Sequence, residues 1–343
     1  MRHIGIDLHT NSFTVCYLEE GKAERIQTID LQRGLEGFIE NLQKTDELAI
    51  EATGNSTWFR DQMLPHVSRV AIIAPWQFEV IRRSVKKTDK HDARAIAFFL
   101  SKDMVPEARM KEKAHTQLAS LVATRDQLVK LRVSLLNKVH GLFTRNGIKI
   151  KKETITSKVG LKRAISGHEW DALEQIELEV ISSQLDSIKE GCNKLEKEIA
   201  EFAKTLPGYD NLISIKGIGP LSAAVFLCTI GDIEDFAKTG NLAAYFGITP
   251  RVSQSNDSHL VGRITKRGNK IARTTLVQCT LIAKRFSPYL HNFYEHIKST
   301  RGAGKAIIAT ARKLLNTIFY TLKNNWIFED FTNFTRINSC NQS

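Results

Sequence analysis

Along the first third of the chain, short apolar runs alternate with amphipathic stretches and turn residues. Arg2–His9 reads as a buried strand ending at Asp7, and Ser12–Leu18 and Lys22–Ile29 are β-rich runs separated by Glu-Gly turns, which predicts a three-strand meander. A helical pattern covers Leu35–Leu42. Glu47–Glu51 is another short apolar strand closed by Ala52-Thr53-Gly54, a second helix is expected near Thr57–Leu64, and Arg69–Ile73 is a strand stopped at Ala74-Pro75. Strands followed by alternating helices and strands predict a mixed α/β sheet.

This order of elements resembles the ribonuclease-H-like fold. The rhythm then changes. From Lys113 to Arg145, Leu118, Leu121, Val122, Leu128, Leu131, Leu135 and Val139 recur at helical spacing, and Ile181, Leu185, Ile188, Leu195 and Ile199 form a second stripe within Ile176–Phe202. Two long stripes with charged flanks predict a helical hairpin or coiled-coil arm for oligomerisation; a plain helical core explains either helix alone. Lys149–Ser166, basic and out of rhythm, reads as a connector. After Pro207-Gly208 come two short helices, a glycine-rich basic loop from Gly247 to Asn269, and helices to about Leu322. The expected divisions are 1–112 for the α/β domain, 113–206 for the long helices, 207–330 for a mostly helical C-terminal domain, and 331–343 for a loose polar tail.

Composition narrows the classes. Lys and Arg number 49 against 37 Asp and Glu, giving a net charge of +12, and so basic a chain most often meets a polyanion such as nucleic acid. No apolar run approaches the roughly 20 residues of a membrane span, and the N-terminus lacks the apolar core of a signal peptide, so a soluble cytoplasmic protein is expected. Cys16, Cys192, Cys228, Cys279 and Cys340 are scattered without a CxxC pair, which argues against a disulfide framework and a zinc site.

Candidate chemistry begins with acids in apolar surroundings. Asp7 ends the first strand and Glu51 ends the fourth, positions where a carboxylate is costly unless paired or bound to metal. Asp89 and Asp92 open a helix at i, i+3 spacing and share one face. With the first strand central and the fourth beside it, these four groups converge. Such a set suits two Mg²⁺ ions, hard cations that take oxygen ligands and stabilise both oxygens of an in-line phosphoryl displacement. Each acid also has a bland explanation: Asp7 as a turn cap, Asp89 at a helix N-terminus capped by Thr88, Asp92 paired with a neighbouring base. A sugar-kinase or chaperone-type ATPase also starts with a Gly-Ile-Asp strand, but Asp7–Ser12 has no glycine to admit a phosphate.

In the C-terminal half, Ile213–Ala223 resembles a helix-hairpin-helix in which Lys216, Gly217 and Gly219 approach a phosphate, although an ordinary helix–helix turn has the same pattern. Arg251, Arg263, Lys266, Arg267, Lys270 and Arg273 crowd a span whose one acid is Asp257, with Ser253, Ser255 and Ser258 among them. Composition makes this a phosphate-contacting region and does not single out one serine.

These pieces together resemble the insertion-sequence one-ten family of transposases, which includes the Piv-type DNA invertases. The motifs GIDLHTNSFTV, IEATGNS, KKTDKHDARAIA, SIKGIGPLSAAVF, NLAAYFGITPR and GRITKRGNKIAR occur in the family's order over nearly the whole chain. The resemblance implies a RuvC-like domain whose DEDD tetrad falls on Asp7, Glu51, Asp89 and Asp92. It also implies a nucleophilic serine five residues after Pro250, at Ser255, with Asn256 where the family usually has glycine. Asn tolerates the left-handed backbone better than most residues, and Ser253 and Ser258 remain alternatives. Further implications are a covalent serine–DNA linkage, dimers pairing into tetramers with the site completed between subunits, a bacterial nucleoid-associated location, and in some members a bridge RNA that guides target choice. A Holliday-junction nuclease of the same fold using metal-activated water, and a non-catalytic nucleic-acid-binding protein, are the competing readings.

Overall fold

The alternation of the N-terminal segment closes into a five-stranded sheet in the computed structural model, which describes residues 1–74, 88–255 and 258–329. The strands are β1 (Arg2–Leu8), β2 (Ser12–Glu19), β3 (Arg25–Asp30), β4 (Glu47–Glu51) and β5 (Arg69–Ile73). Their order is β3-β2-β1-β4-β5, antiparallel across the β1–β2–β3 meander and parallel from β1 to β4 and β4 to β5. Among the described residues, three α-helices accompany the sheet: α1 (Leu35–Glu40), α2 (Ser56–Met63) and α3 (Asp89–Ser101). This unit is Met1–Met110, and the second compact unit is Lys111–Ser343.

Period-two alternation gives β1 and β4 two different faces. Ile4, Ile6, Leu8, Leu48 and Ile50 pack with Phe13, Phe38, Phe59 and Met63. Phe13 meets Phe38 and Phe59 edge-on, with ring centroids 5.1 and 5.0 Å away, the geometry that aromatic quadrupoles prefer. The opposite face is built from small residues: Ala49 and Ala71 lie under Ile96 and Leu100, and Cys16 under Ala93 and Ala97.

Gly5 shows how close α3 comes. A Cβ there would lie 2.2 Å from the Ala93 carbonyl oxygen and 2.3 Å from the Ala97 nitrogen, so the helix backbone rests directly on the central strand. Gly5→Ala forces backbone against backbone, with no flexible side chain to yield. We expect a loss of more than about 3 kcal/mol, beyond the usual range for overpacking, seen as a lowered urea midpoint by circular dichroism.

The second unit opens with two 33-residue helices, α4 (Lys113–Arg145) and α7 (Ala172–Lys204). Ion pairs Arg125–Glu196, Lys138–Glu177 and Arg145–Glu174 set them antiparallel. Each pair is partly exposed and so adds little stability; the apolar stripes hold the helices together. At one end Leu118, Val122, Ile199 and Ala203 join the core of the C-terminal helices, and at the other Val139, Leu142, Phe143, Leu178 and Ile181 form a separate cluster. The basic connector contains two short helices, α5 (Lys152–Ile155) and α6 (Lys158–Ser166), which bury Ile155 and Leu161 in that second cluster. The Ser157 side chain starts α6 by accepting from Gly160 N–H.

Next come α8 (Tyr209–Ile213), α9 (Pro220–Ile230), α10 (Thr239–Tyr245), α11 (Lys270–Phe286), α12 (Pro288–Arg301) and α13 (Ala303–Lys323). Buried from Ala223 to Ile230, α9 forms the middle of this core. The span read as a loop from Gly247 to Asn269 contains a hairpin of β6 (Pro250–Ser255) and β7 (Ser258–Ile264). Its polar strands lack apolar alternation, and cross-strand pairing such as Val252 opposite Val261 defines them instead. Among the described residues no helix is long and apolar enough to cross a membrane. The tail at 331–343, with Cys340, lies outside the described residues, as do Asn256 and Asp257.

Candidate active site

Asp7 and Glu51 stand at equivalent places in the sheet. Ile6 pairs with Ile50 across the parallel β1–β4 ladder, so the next residue on each strand is an acid at the carboxyl end. Alternation puts both on the face of Gly5 and Ala49, beneath α3. Helix α3 brings its own acids to the same place. Thr88 caps it, its side chain accepting from His91 N–H, and Asp89 and Asp92 occupy the first turn. Asp89 lies one turn before Ala93, which touches β1 at Gly5, and so overhangs the strand's end.

Asp7 is 6% exposed. Burial pushes its pKa above the ordinary carboxylate range; the nearby charges of Asp89 and Asp92 push the same way, while His9 opposes them. The donor atoms of Asp7, His9 and Asp89 all lie within 4.8 Å of one another. His9 Nε2 is 3.4 Å from an Asp7 Oδ2 and 3.5 Å from an Asp89 Oδ2. Asp92 joins through its electrostatic effect on Asp7, and Glu51 flanks the trio at the adjacent strand end. His9 is a site residue that the sequence did not single out. Its signal was present, an imidazole two positions after the strand-end acid, but only the fold shows that it turns toward Asp89.

The backbone around His9 is pinned. Its N–H donates to the Ser12 carbonyl at 2.9 Å, closing the β1–β2 hairpin, and its own carbonyl accepts from Asn55 Nδ2 at 3.1 Å. An open cleft of about 510 Å³ adjoins this point, lined by Leu8, His9, Thr10, Asn55 and the half-exposed Trp58.

In the second unit, Ser255 ends β6 and is paired through its backbone region with Ser258, the first residue of β7. The side chains from 252 to 261, including those of Ser253, Ser255 and Ser258, lie outside the described residues. Around the hairpin, Arg251, Arg263, Lys266, Arg267 and Lys270 are exposed. Arg273 is half-buried and donates to the carbonyls of Phe246 at 3.1 Å and Arg267 at 3.3 Å, tying the start of α11 to the hairpin's base. Asn269 caps α11 by accepting from Ile271 and Ala272 N–H.

Lys216 and Gly219 are exposed in the turn between α8 and α9. Gly217 serves packing: its φ is +104°, and a Cβ would lie 2.8 Å from the Ala283 nitrogen on α11.

Two family models match the chain, one at each end. Residues 4–146, which hold all four candidate acids, match a DEDD transposase model of the IS110 type. Residues 209–295, which hold Ser255 and the basic cluster, match the model described as Transposase IS116/IS110/IS902 family. The transposase for insertion sequence element IS1111A of Coxiella burnetii is 25% identical over 321 residues, covering 90% of this chain and 86% of that protein. The pilin gene-inverting protein of Moraxella bovis is 26% identical over 351 residues, covering 95% and 97%. A probable family 20 transposase of Pseudomonas aeruginosa is 26% identical over 278 residues, covering 80% and 78%.

Proposed function

The chain belongs to the IS110 family of transposases, enzymes that act on DNA, and from that premise we propose that it breaks and rejoins DNA strands using a divalent-ion centre on Asp7, Glu51, Asp89 and Asp92 and a nucleophilic hydroxyl on Ser255. The observation that carries the proposal is the common face of Asp7 and Glu51 at the aligned ends of two parallel strands, with Asp89 in contact range of Asp7. The meander followed by parallel β4 and β5 also supports a RuvC-like, ribonuclease-H-like arrangement.

The donor set fits a hard divalent ion such as Mg²⁺. A buried carboxylate with two acids beside it is short of positive charge, and oxygen donors match that ion class. Asp7 and Asp89 would hold it, with Glu51 and Asp92 completing a site roomy enough in donors for a second ion. Bound there, it would supply Lewis-acid stabilisation of charge on the phosphate.

The remaining steps fall to the chain's own residues. Arg251, Arg263, Lys266 and Lys270 neutralise backbone phosphates and hold a strand beside the hairpin. The Ser255 oxygen forms a bond to phosphorus as one P–O bond of the DNA breaks. The hydroxyl proton goes to solvent, and the departing strand end takes up a proton to become a free hydroxyl. Attack by the free hydroxyl of a second strand reverses the chemistry, releasing serine and joining new partners. No water enters, so the energy of the phosphodiester is conserved in the linkage.

The test uses the full chain, Mg²⁺, and DNA spanning both flanks of its own gene. We expect a denaturation-resistant protein–DNA adduct whose tryptic peptide carries the nucleotide at Ser255. An adduct mapped to any other side chain would overturn the serine assignment.

A further inference from the structure

His9 stands outside the four carboxylates of the DEDD pattern, yet its Nε2 lies almost equidistant from Asp7 and Asp89, at 3.4 and 3.5 Å. Both separations are longer than the ordinary 2.7–3.2 Å range of an N–H···O bond, so the ring is shared between the two acids rather than committed to either. Three donors 3.4–4.8 Å apart instead converge on a point between them. Neighbouring ligands of an octahedral ion bound at about 2.1 Å are themselves roughly 3 Å apart, a spacing these groups reach with small side-chain rotations. The backbone fixes where the imidazole must act, since His9 N–H and C=O are held by Ser12 and Asn55.

Resting on the carboxylate centre proposed above, we infer that His9 is a nitrogen ligand of the ion held by Asp7 and Asp89, making the centre a mixed nitrogen–oxygen site that favours Mn²⁺ over Mg²⁺. Imidazole suits borderline transition ions, whereas Mg²⁺ takes oxygen donors and gives up its water reluctantly. The His9 side chain is 51% exposed, so its removal leaves no cavity, and the hairpin hydrogen bonds belong to its backbone. Variants at this position therefore test ligation without unfolding the sheet.

The experiment titrates the metal-free full chain with MnCl₂ or MgCl₂ by calorimetry and records pulsed electron paramagnetic resonance of the Mn²⁺ form. Wild type is expected to show nitrogen modulation from a directly bound imidazole, which changes on ¹⁵N-histidine labelling. His9→Ala and His9→Gln are expected to lose that modulation and about tenfold or more of their Mn²⁺ affinity, as such ligand-set changes commonly do, with Mg²⁺ affinity unchanged. Bound Mn²⁺ with no nitrogen modulation overturns the inference, as does modulation that survives His9→Ala and vanishes in His91→Ala. Asp7→Asn separates the two levels. If it abolishes Mn²⁺ binding while His9→Ala changes nothing, the carboxylate centre stands and the His9 ligand falls. If Asp7→Asn binds Mn²⁺ like wild type, the centre itself falls.

Discussion

Replacing Ser255 by Ala is expected to eliminate the covalent protein–DNA species and to lower strand joining by at least about 10³-fold, which is roughly 4 kcal/mol of barrier. The size follows from the chemistry. Alanine has no oxygen to form the phosphoserine bond, and nothing else in the proposed mechanism stores the phosphodiester between cutting and rejoining. DNA binding is expected to persist, because Arg263, Lys266 and Lys270 remain exposed beside the hairpin and phosphate contacts carry most of the affinity. A gel assay of binding and a denaturing gel for adducts, run on the same samples, separate these effects. Ser253→Ala and Ser258→Ala are the controls, since both residues lie on the same hairpin and Ser258 pairs with Ser255. Full recombination by Ser255→Ala would end the assignment. Metal-dependent cutting with no adduct in the wild type would point to water as the nucleophile, as in a junction nuclease.

Much of the first unit was legible because its signals are local. β4 and β5 fall at the bounds predicted for them, Glu47–Glu51 and Arg69–Ile73, since short apolar runs closed by Ala-Thr-Gly and Ala-Pro leave little freedom. The same is true of Lys113–Arg145, where the stripe is long and uninterrupted. The alignment of Asp7 with Glu51 was legible for a second reason: two acids that each end an apolar strand share a face once the strands pair in register. What sequence could not supply was long-range orientation. His9 and Asp89 are far apart in the chain and meet because Gly5 lets α3 rest on β1. The hairpin at Pro250–Ile264 was missed because its polar residues carry no alternation, and the connector helices because Ile155 and Leu161 are sparse among lysines. The close approach of Gly217 to Ala283 and the bonds of Arg273 to the Phe246 and Arg267 carbonyls are likewise invisible in a linear pattern.

Asp7→Asn is expected to abolish metal-dependent strand cutting, by roughly 10²–10³-fold or more, because each ion-holding group contributes several kcal/mol of charge stabilisation. Stability should move the other way. Burial and the charges of Asp89 and Asp92 raise the Asp7 pKa in the fold, so the folded state holds that proton more tightly than the unfolded chain does. Ionised Asp7 therefore opposes folding at pH values above its raised pKa, and the penalty is relieved as pH falls through it. Asparagine keeps the shape and cannot ionise. In chelator at neutral pH the variant should melt above the wild type, and the gap should close as the buffer is made acidic. Adding a divalent ion reverses the ranking: at 100 times its Kd an ion bound only to the native wild type contributes about 2.7 kcal/mol, and the variant gains little. Melting curves with and without ion, at neutral and acidic pH, read both signs without any DNA. A variant that melts below the wild type in chelator, yet still gains from the ion, would show that Asp7 is a structural acid and that the cation sits elsewhere.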